Sequence, residues 1–197
     1  MTRPEIPGYA LGSPTLQRSP VSTADLALLQ QTLLFGADDV RALKQSRPIL
    51  EGQVEAILDV WYGFVGGNPH LLAAFVSKKT GEPEGQYLER VRKRFGQWIL
   101  DTANAQFDQN WLDWQHEIGL RHHRTKKNKT DSATAADIVP FRYVVALTVP
   151  VTTTLKPFLG KSGAAAADVE RMHAAWVKAV LLQTILWSRP YVASADF

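Results

Sequence analysis

Apolar residues along this chain fall into stripes spaced three and four apart, broken by short polar or glycine- and proline-rich stretches, which is the period of helices that bury one face. Leu26, Leu29 and Leu33 follow Ser22 and Asp25, a helix-start pair, and Gly36 is expected to end that first helix. A second helix is expected from Asp38. It runs into a third which, after Pro48, places Val54, Ile57, Leu58, Trp61, Tyr62 and Val65 on one side and stops at Gly66, Gly67 and Pro69. The loop SKKTGEPEG leads to a long helix with Leu88, Val91, Phe95 and Trp98 in register, and Asn110 is expected to open the next. Residues 126–137 read as a polar loop, 141–155 as an apolar helix that Pro150 should kink, and 165–187 as the clearest helix, with Val169, Met172, Trp176, Val180 and Thr184 along one stripe. No stretch alternates with period two for long enough to be a strand. An all-α fold of seven or eight helices follows.

Residues 1–20 carry four prolines and two glycines with no apolar period, so residues 1–21 are expected to form an irregular arm, although Ile6, Tyr9 and Leu11 lie within it. At 197 residues the chain is expected to be one domain, 1–197, with 45% hydrophobic and 21% charged residues placing it among ordinary folding chains. Six tryptophans and eight phenylalanines call for a large core, an aromatic-lined pocket, or both. The absence of cysteine removes disulfides, thiolate nucleophiles, iron–sulfur clusters and covalent haem attachment. Any haem is therefore non-covalent. No run of eighteen apolar residues exists and the N-terminus lacks an apolar signal region, so a cytoplasmic protein with no membrane partner is expected. A net charge of +3 is too small to argue for nucleic acid, and the basic run RHHRTKKNK sits at a helix C-terminus, where cations offset the helix dipole.

Of the five histidines, His122 lies where a buried ligand should. At roughly 100° per residue it falls within about 40° of Trp111, Gln115 and Ile118 and continues their apolar stripe. His123 projects further round, beside Leu112, His116 and Gly119, a side expected to be more polar. A core histidine satisfied by a carbonyl is the alternative reading of His122. The string HEIGLRH fails the H-E-x-x-H zinc pattern, because Leu120 stands four after His116. Neither nucleotide-binding glycine motifs nor a G-x-S-x-G elbow occur. Tyr62, beside Trp61, is a neutral phenol donor on the buried side of its helix, and a tyrosine bonded to a carbonyl is its plainer reading.

The strings DVWYGFVG, RVRKRFGQWILDT, WLDWQHEIGLRHHRTKKNKTD and KPFLGKS, in that order, resemble the protoglobins, as do the arm EIPGYALG and the ending WSRPYVASADF. The resemblance covers essentially the whole chain. It implies a globin fold, a three-over-three helical sandwich related to the globin domains of globin-coupled sensors, with an additional N-terminal helix matching the segment after Ser22. It further implies haem b, with His122 as the proximal iron ligand and Trp61, Tyr62, Phe75, Val91, Phe95 and Leu147 around the cofactor. Val91 stands one turn before Phe95, where many globins place a distal histidine, which leaves Tyr62 as the one obvious distal donor. The motif YVVAL departs from the family's YLVAF in carrying Leu147 where an aromatic is common. The resemblance also implies a haem buried by the arm, apolar tunnels, and a homodimer packed through the last long helices. Reversible binding of O₂, CO or NO, as carrier, scavenger or sensor, is the expected function. The alternative is a haem enzyme acting on NO, nitrite or peroxide, which generally needs a distal acid–base group that Val91 and Phe95 do not supply.

Overall fold

Ser22 opens the first helix as its spacing from Asp25 predicts. In the computed structural model, which describes residues 6–161 and 163–197, the Ser22 hydroxyl accepts from the Asp25 amide and the Asp25 carboxylate accepts from the Ser22 amide, each at 3.1 Å. This capping box starts α1 (Thr23–Thr32). The helix stops before Gly36. Leu34 turns into the left-handed region at φ 53°, and the Phe35 amide closes back on the Gln30 carbonyl, so that Phe35 is buried. Gly36 instead begins α2 (Ala37–Glu51), its amide donating to the Asp39 carboxylate at 2.8 Å.

Pro48 lies inside α2 rather than at its end. The missing amide bond is tolerated because Leu43, Ser46 and Leu50 are completely buried on the same helix. The break falls at Gly52 and Gln53, after which come α3 (Val54–Gly66), a one-turn α4 (Pro69–Leu72) and a 3₁₀ turn at Ala73–Phe75. α5 (Gly85–Asn104) ends where Ala105 adopts φ 49°. α6 (Gln109–His122) begins before Asn110, because the Asp108 carboxylate caps it by accepting from the Trp111 amide at 2.8 Å. The helix expected over 141–155 is two, α7 (Phe141–Ala146) and α8 (Thr148–Gly160), parted at Leu147. Pro150 can give no amide hydrogen to the Ala146 carbonyl and crowds it, so the bend falls one turn before the proline. α9 (Ala166–Ser188) and a 3₁₀ turn at Arg189–Tyr191 finish the chain. With α7 and α8 counted as one bent helix the architecture has eight α-helices, and among the described residues a lone bridge between Val76 and Pro83 is the only strand-like pairing.

α9 is the central element, packed against α2, α6 and α8. Its stripe behaves as the spacing predicts, with Met172, Trp176, Val180 and Thr184 buried and Val169 half-buried. Two indoles of the interior are matched to neutral acceptors: Trp176 donates to the Ser46 hydroxyl at 2.9 Å and Trp98 to the Gln183 side-chain oxygen at 2.6 Å.

From residue 6 onward the arm is irregular, and it is pinned across α5 and α6. Tyr9 donates to Asp101 at 2.6 Å and sets its ring edge-on to Trp114, while Arg121 donates to the Gly8 carbonyl at 2.6 Å and Arg94 to the Pro7 carbonyl at 2.8 Å. Gly8 is required here twice over. Its φ is 77°, and a Cβ would stand 2.7 Å from both the Arg94 guanidinium and the Thr130 methyl group. Residues 1–5 of the expected arm lie outside the described residues.

Candidate functional site

α6 delivers His122 from its last turn. Trp111 and Gln115 on the same stripe are buried and Ile118 is half-buried, as the helical angle predicts. The side that carries His123 is not exposed. Leu112, His116 and Gly119 are also buried, because α6 is enclosed by α9 on one flank and by the arm and the 123–140 loop on another. His123 is separated from His122 by the backbone: it ends the helix with ψ 157°, its Nδ1 pairs with the Thr125 hydroxyl at 2.7 Å, and its ring meets Tyr191 edge-on.

The His122 ring is set by its neighbours. Its Nδ1 lies 2.9 Å from the Ile118 carbonyl, and since a carbonyl only accepts, the hydrogen is on Nδ1 and the Nε2 lone pair is free. No described residue hydrogen-bonds to Nε2. Because no buried polar side-chain atom among the described residues lacks a partner, Nε2 borders a space that water can reach. Burial is the largest influence on the titration of this ring and pushes it below the ordinary histidine range; the Ile118 carbonyl opposes the shift and the Lys127 charge adds to it. A neutral imidazole with one tautomer and an open nitrogen is what a metal ligand requires.

The other expected pocket residues gather on the far elements. Trp61 is buried with Val65 and Leu71, and Tyr62, Phe75, Phe95 and Leu147 pack against them in one cluster supplied by α3, the 73–75 turn, α5 and the α7–α8 bend. Val91 is half-buried on α5, outside that cluster. Phe95 lies against Trp61 at 5.6 Å between ring centroids, and a small apolar pocket of about 10 Å³ lies among Ile57, Trp61, Phe95, Val151 and Leu155.

The Tyr62 ring is held from outside by the Arg92 guanidinium, 5.7 Å from its centroid, and Arg92 is itself tied to Glu55 and Asp59 of α3 at 2.8 Å each. Its hydroxyl has no protein partner and, like Nε2 of His122, borders reachable space. Burial raises its titration well above the ordinary phenol range, against the pull of Arg92 and Arg94, so it remains a donor at any physiological pH.

Tyr143 joins the same cluster, its ring 5.2 Å from that of His70, a second phenol that the sequence motifs do not single out. The signal was available, since Tyr143 stands one helical turn before Leu147. The basic run is in part tied down: Arg121 and Lys126 both pair with Glu117 and Lys127 is buried against the Ala74 carbonyl and the Tyr87 ring, while Arg124 and Lys129 are exposed; Arg94 of α5 pairs with Asp131 of the following loop. Burial pushes the Lys127 ammonium down to about 8.

An all-helical fold centred on α9, with one imidazole and one phenol that each leave a polar atom without a protein partner and with aromatic and aliphatic side chains gathered beside the phenol, is the architecture of a globin. The structure matches the globin domain of the Geobacter sulfurreducens globin-coupled sensor with a TM-score of 0.65, covering 85% of this chain and 97% of that one at 16% sequence identity. No curated protein sequence matches this chain. The sequence profile of the protoglobins matches residues 22–196, and the chain belongs to the protoglobin family. Membership makes it a haem globin, a class that binds small gaseous ligands. Among the described residues no helix is long and apolar enough to cross a membrane.

Proposed function

We propose that this protein binds haem b non-covalently through His122 and binds O₂, CO or NO reversibly on the side lined by Trp61, Tyr62, Phe95 and Leu147. The observation that carries the reading is the pair of polar atoms without a protein partner, Nε2 of His122 and the hydroxyl of Tyr62, each on a ring whose other contacts are fixed by the Ile118 carbonyl and by Arg92. Haem held there supplies an iron with a coordination position open to a diatomic gas. His122 contributes a neutral nitrogen of fixed tautomer. Trp61, Phe75, Val91, Phe95 and Leu147 contribute an apolar surround that excludes water, and Tyr62 contributes one donor. α1 is the additional N-terminal helix of the family in this reading, and the whole chain is one domain. The protein is read as a cytoplasmic homodimer paired through its last long helices, on which Val149 and Val177 present exposed apolar side chains.

The donor separates gases by polarity. A hydrogen bond to a partly charged ligand contributes about 1.5–3 kcal/mol, whereas CO carries little charge and gains far less. Tyr62→Phe, which keeps the ring under Arg92, should speed O₂ dissociation about tenfold or more, each tenfold being about 1.4 kcal/mol. Stopped-flow measurement should find CO dissociation within a few-fold of the parent, and Tyr143→Phe should leave both rates nearly unchanged. Equal acceleration of both gases in Tyr62→Phe would make the ring a steric element only. If Tyr143→Phe carried the O₂ effect, the donor would be the wrong phenol.

A further inference from the structure

Trp187, near the C-terminal end of α9, is the residue in closest register with the His122 ring. The two rings lie 5.5 Å apart between centroids with their planes only 10° from parallel, an offset stack. Three other contacts fix the indole. Its N–H donates to the Gln115 side-chain oxygen at 2.8 Å, and Gln115 is 2% exposed, two turns before His122 on α6. Trp98 backs it at 6.0 Å. Gly119 lets the α9 backbone come so near that a Cβ there would stand 3.0 Å from the Trp187 Cα.

Filling space would require none of this register. Trp176 fills the core with one hydrogen bond and an edge-on neighbour, and presents no parallel face to a polar ring. Trp187 is half-buried, anchored at its N–H and at its backbone with the tilted Trp98 ring beside it, and one flat face is given to His122. The Ile118 carbonyl fixes which way Nδ1 points, and a parallel plate resists tilting of the ring. Together they leave the imidazole one orientation.

We propose that Trp187, held by Gln115, is a positioning residue that sets the plane of the His122 imidazole and so the direction of its Nε2 lone pair. The inference rests on the reading of His122 as the haem ligand. Groups that orient a ligating histidine typically change metal affinity by roughly 10–100-fold when removed. Trp187→Leu removes the plate, Trp187→Phe keeps an aromatic face without the N–H, and Gln115→Leu keeps the indole but frees it.

Resonance Raman spectroscopy of the ferrous, ligand-free holoprotein reads the iron–histidine stretch directly. A single narrow band is expected in the parent. A broadened or split band is expected in Trp187→Leu and, to a smaller extent, in Trp187→Phe and Gln115→Leu, which both lose the anchoring hydrogen bond, with haem transfer to an acceptor apoprotein faster by on the order of tenfold in Trp187→Leu. An unchanged band in Trp187→Leu overturns the proposal, and so does an equal change in Trp187→Phe. Should Trp187→Leu not fold, Gln115→Leu decides alone, an unchanged band counting against the clamp. Nitrogen-15 shifts of the His122 ring in the apoprotein give a readout without haem: one Nδ1-protonated form in the parent and a tautomer mixture in Trp187→Leu support the clamp, and identical shifts overturn it. A parent lacking any iron–histidine band would sink the ligand assignment, while the apoprotein shifts would still decide the clamp.

Discussion

An unsatisfied polar atom inside a protein costs about 1–3 kcal/mol, and this chain avoids that cost at Trp98, Trp176 and Trp187, each of whose indole nitrogens finds an acceptor. Tyr62 and His122 are treated differently. Each has half of its surroundings arranged with care, Arg92 over the phenol ring and the Ile118 carbonyl on Nδ1, and one polar atom left open. The arrangement makes sense when something outside the chain completes both. His122 and His123 show how much a single residue of register matters. The first keeps helical geometry and turns inward, and the second leaves the helix and pairs with Thr125. Tyr62 is not the one phenol in its cluster, which is why its hydroxyl must be tested against that of Tyr143.

At the scale of elements the site depends on how closely α6 and α9 approach. Gly119 faces the Trp187 backbone, whose Cα and carbonyl oxygen would meet an added Cβ at 3.0 and 3.1 Å, and backbone atoms cannot yield as a flexible side chain does. Gly119→Ala should therefore destabilise the fold by about 1–3 kcal/mol, the usual cost of overpacking. Gly63→Ala in α3, where nothing lies within 4 Å, should be neutral or stabilising by up to about 1 kcal/mol. Urea unfolding midpoints check both, and equal midpoints would mean that the two helices part without penalty. This contact is also where the sequence is least readable: the stripe on α6 names His122, but nothing in its spacing identifies Trp187, 65 positions later, as the plate beside it. The helices themselves are readable because apolar period and capping signals are local. Their ends are readable only in part. Leu34 and Leu147 break helices through left-handed backbone and a displaced proline effect, while Gly36 and Pro48, the stronger punctuation by residue type, begin one helix and lie within another.

For the molecule as a whole the arm is the distinctive feature. From residue 6 onward it carries no helix, yet Tyr9, Pro7 and Gly8 are bound to Asp101, Arg94 and Arg121 on two helices, and Arg94 in turn holds Asp131 of the loop that follows the histidine pair. The aromatic and apolar residues of the arm were legible as too many for a free tail. Their partners were not, since each lies more than 80 residues away. A chain fastened in this way restrains the α5, α6 and loop segments together. Removing residues 1–20 should accordingly speed haem transfer to an acceptor apoprotein, followed by the change in Soret absorbance. An unchanged rate would show that the arm braces α5 and α6 without covering the cofactor.

The central claim is that His122 holds the haem, and the pair His122→Ala and His123→Ala tests it most directly. Both proteins should be purified with haem supplied in excess and their Soret absorbance compared with that at 280 nm. His122→Ala is expected to retain little or no haem, because no other described imidazole lies on the stripe of Trp111, Gln115 and Ile118, and His123→Ala to retain it as the parent does. Loss of the Soret band in His123→Ala with retention in His122→Ala would contradict the claim.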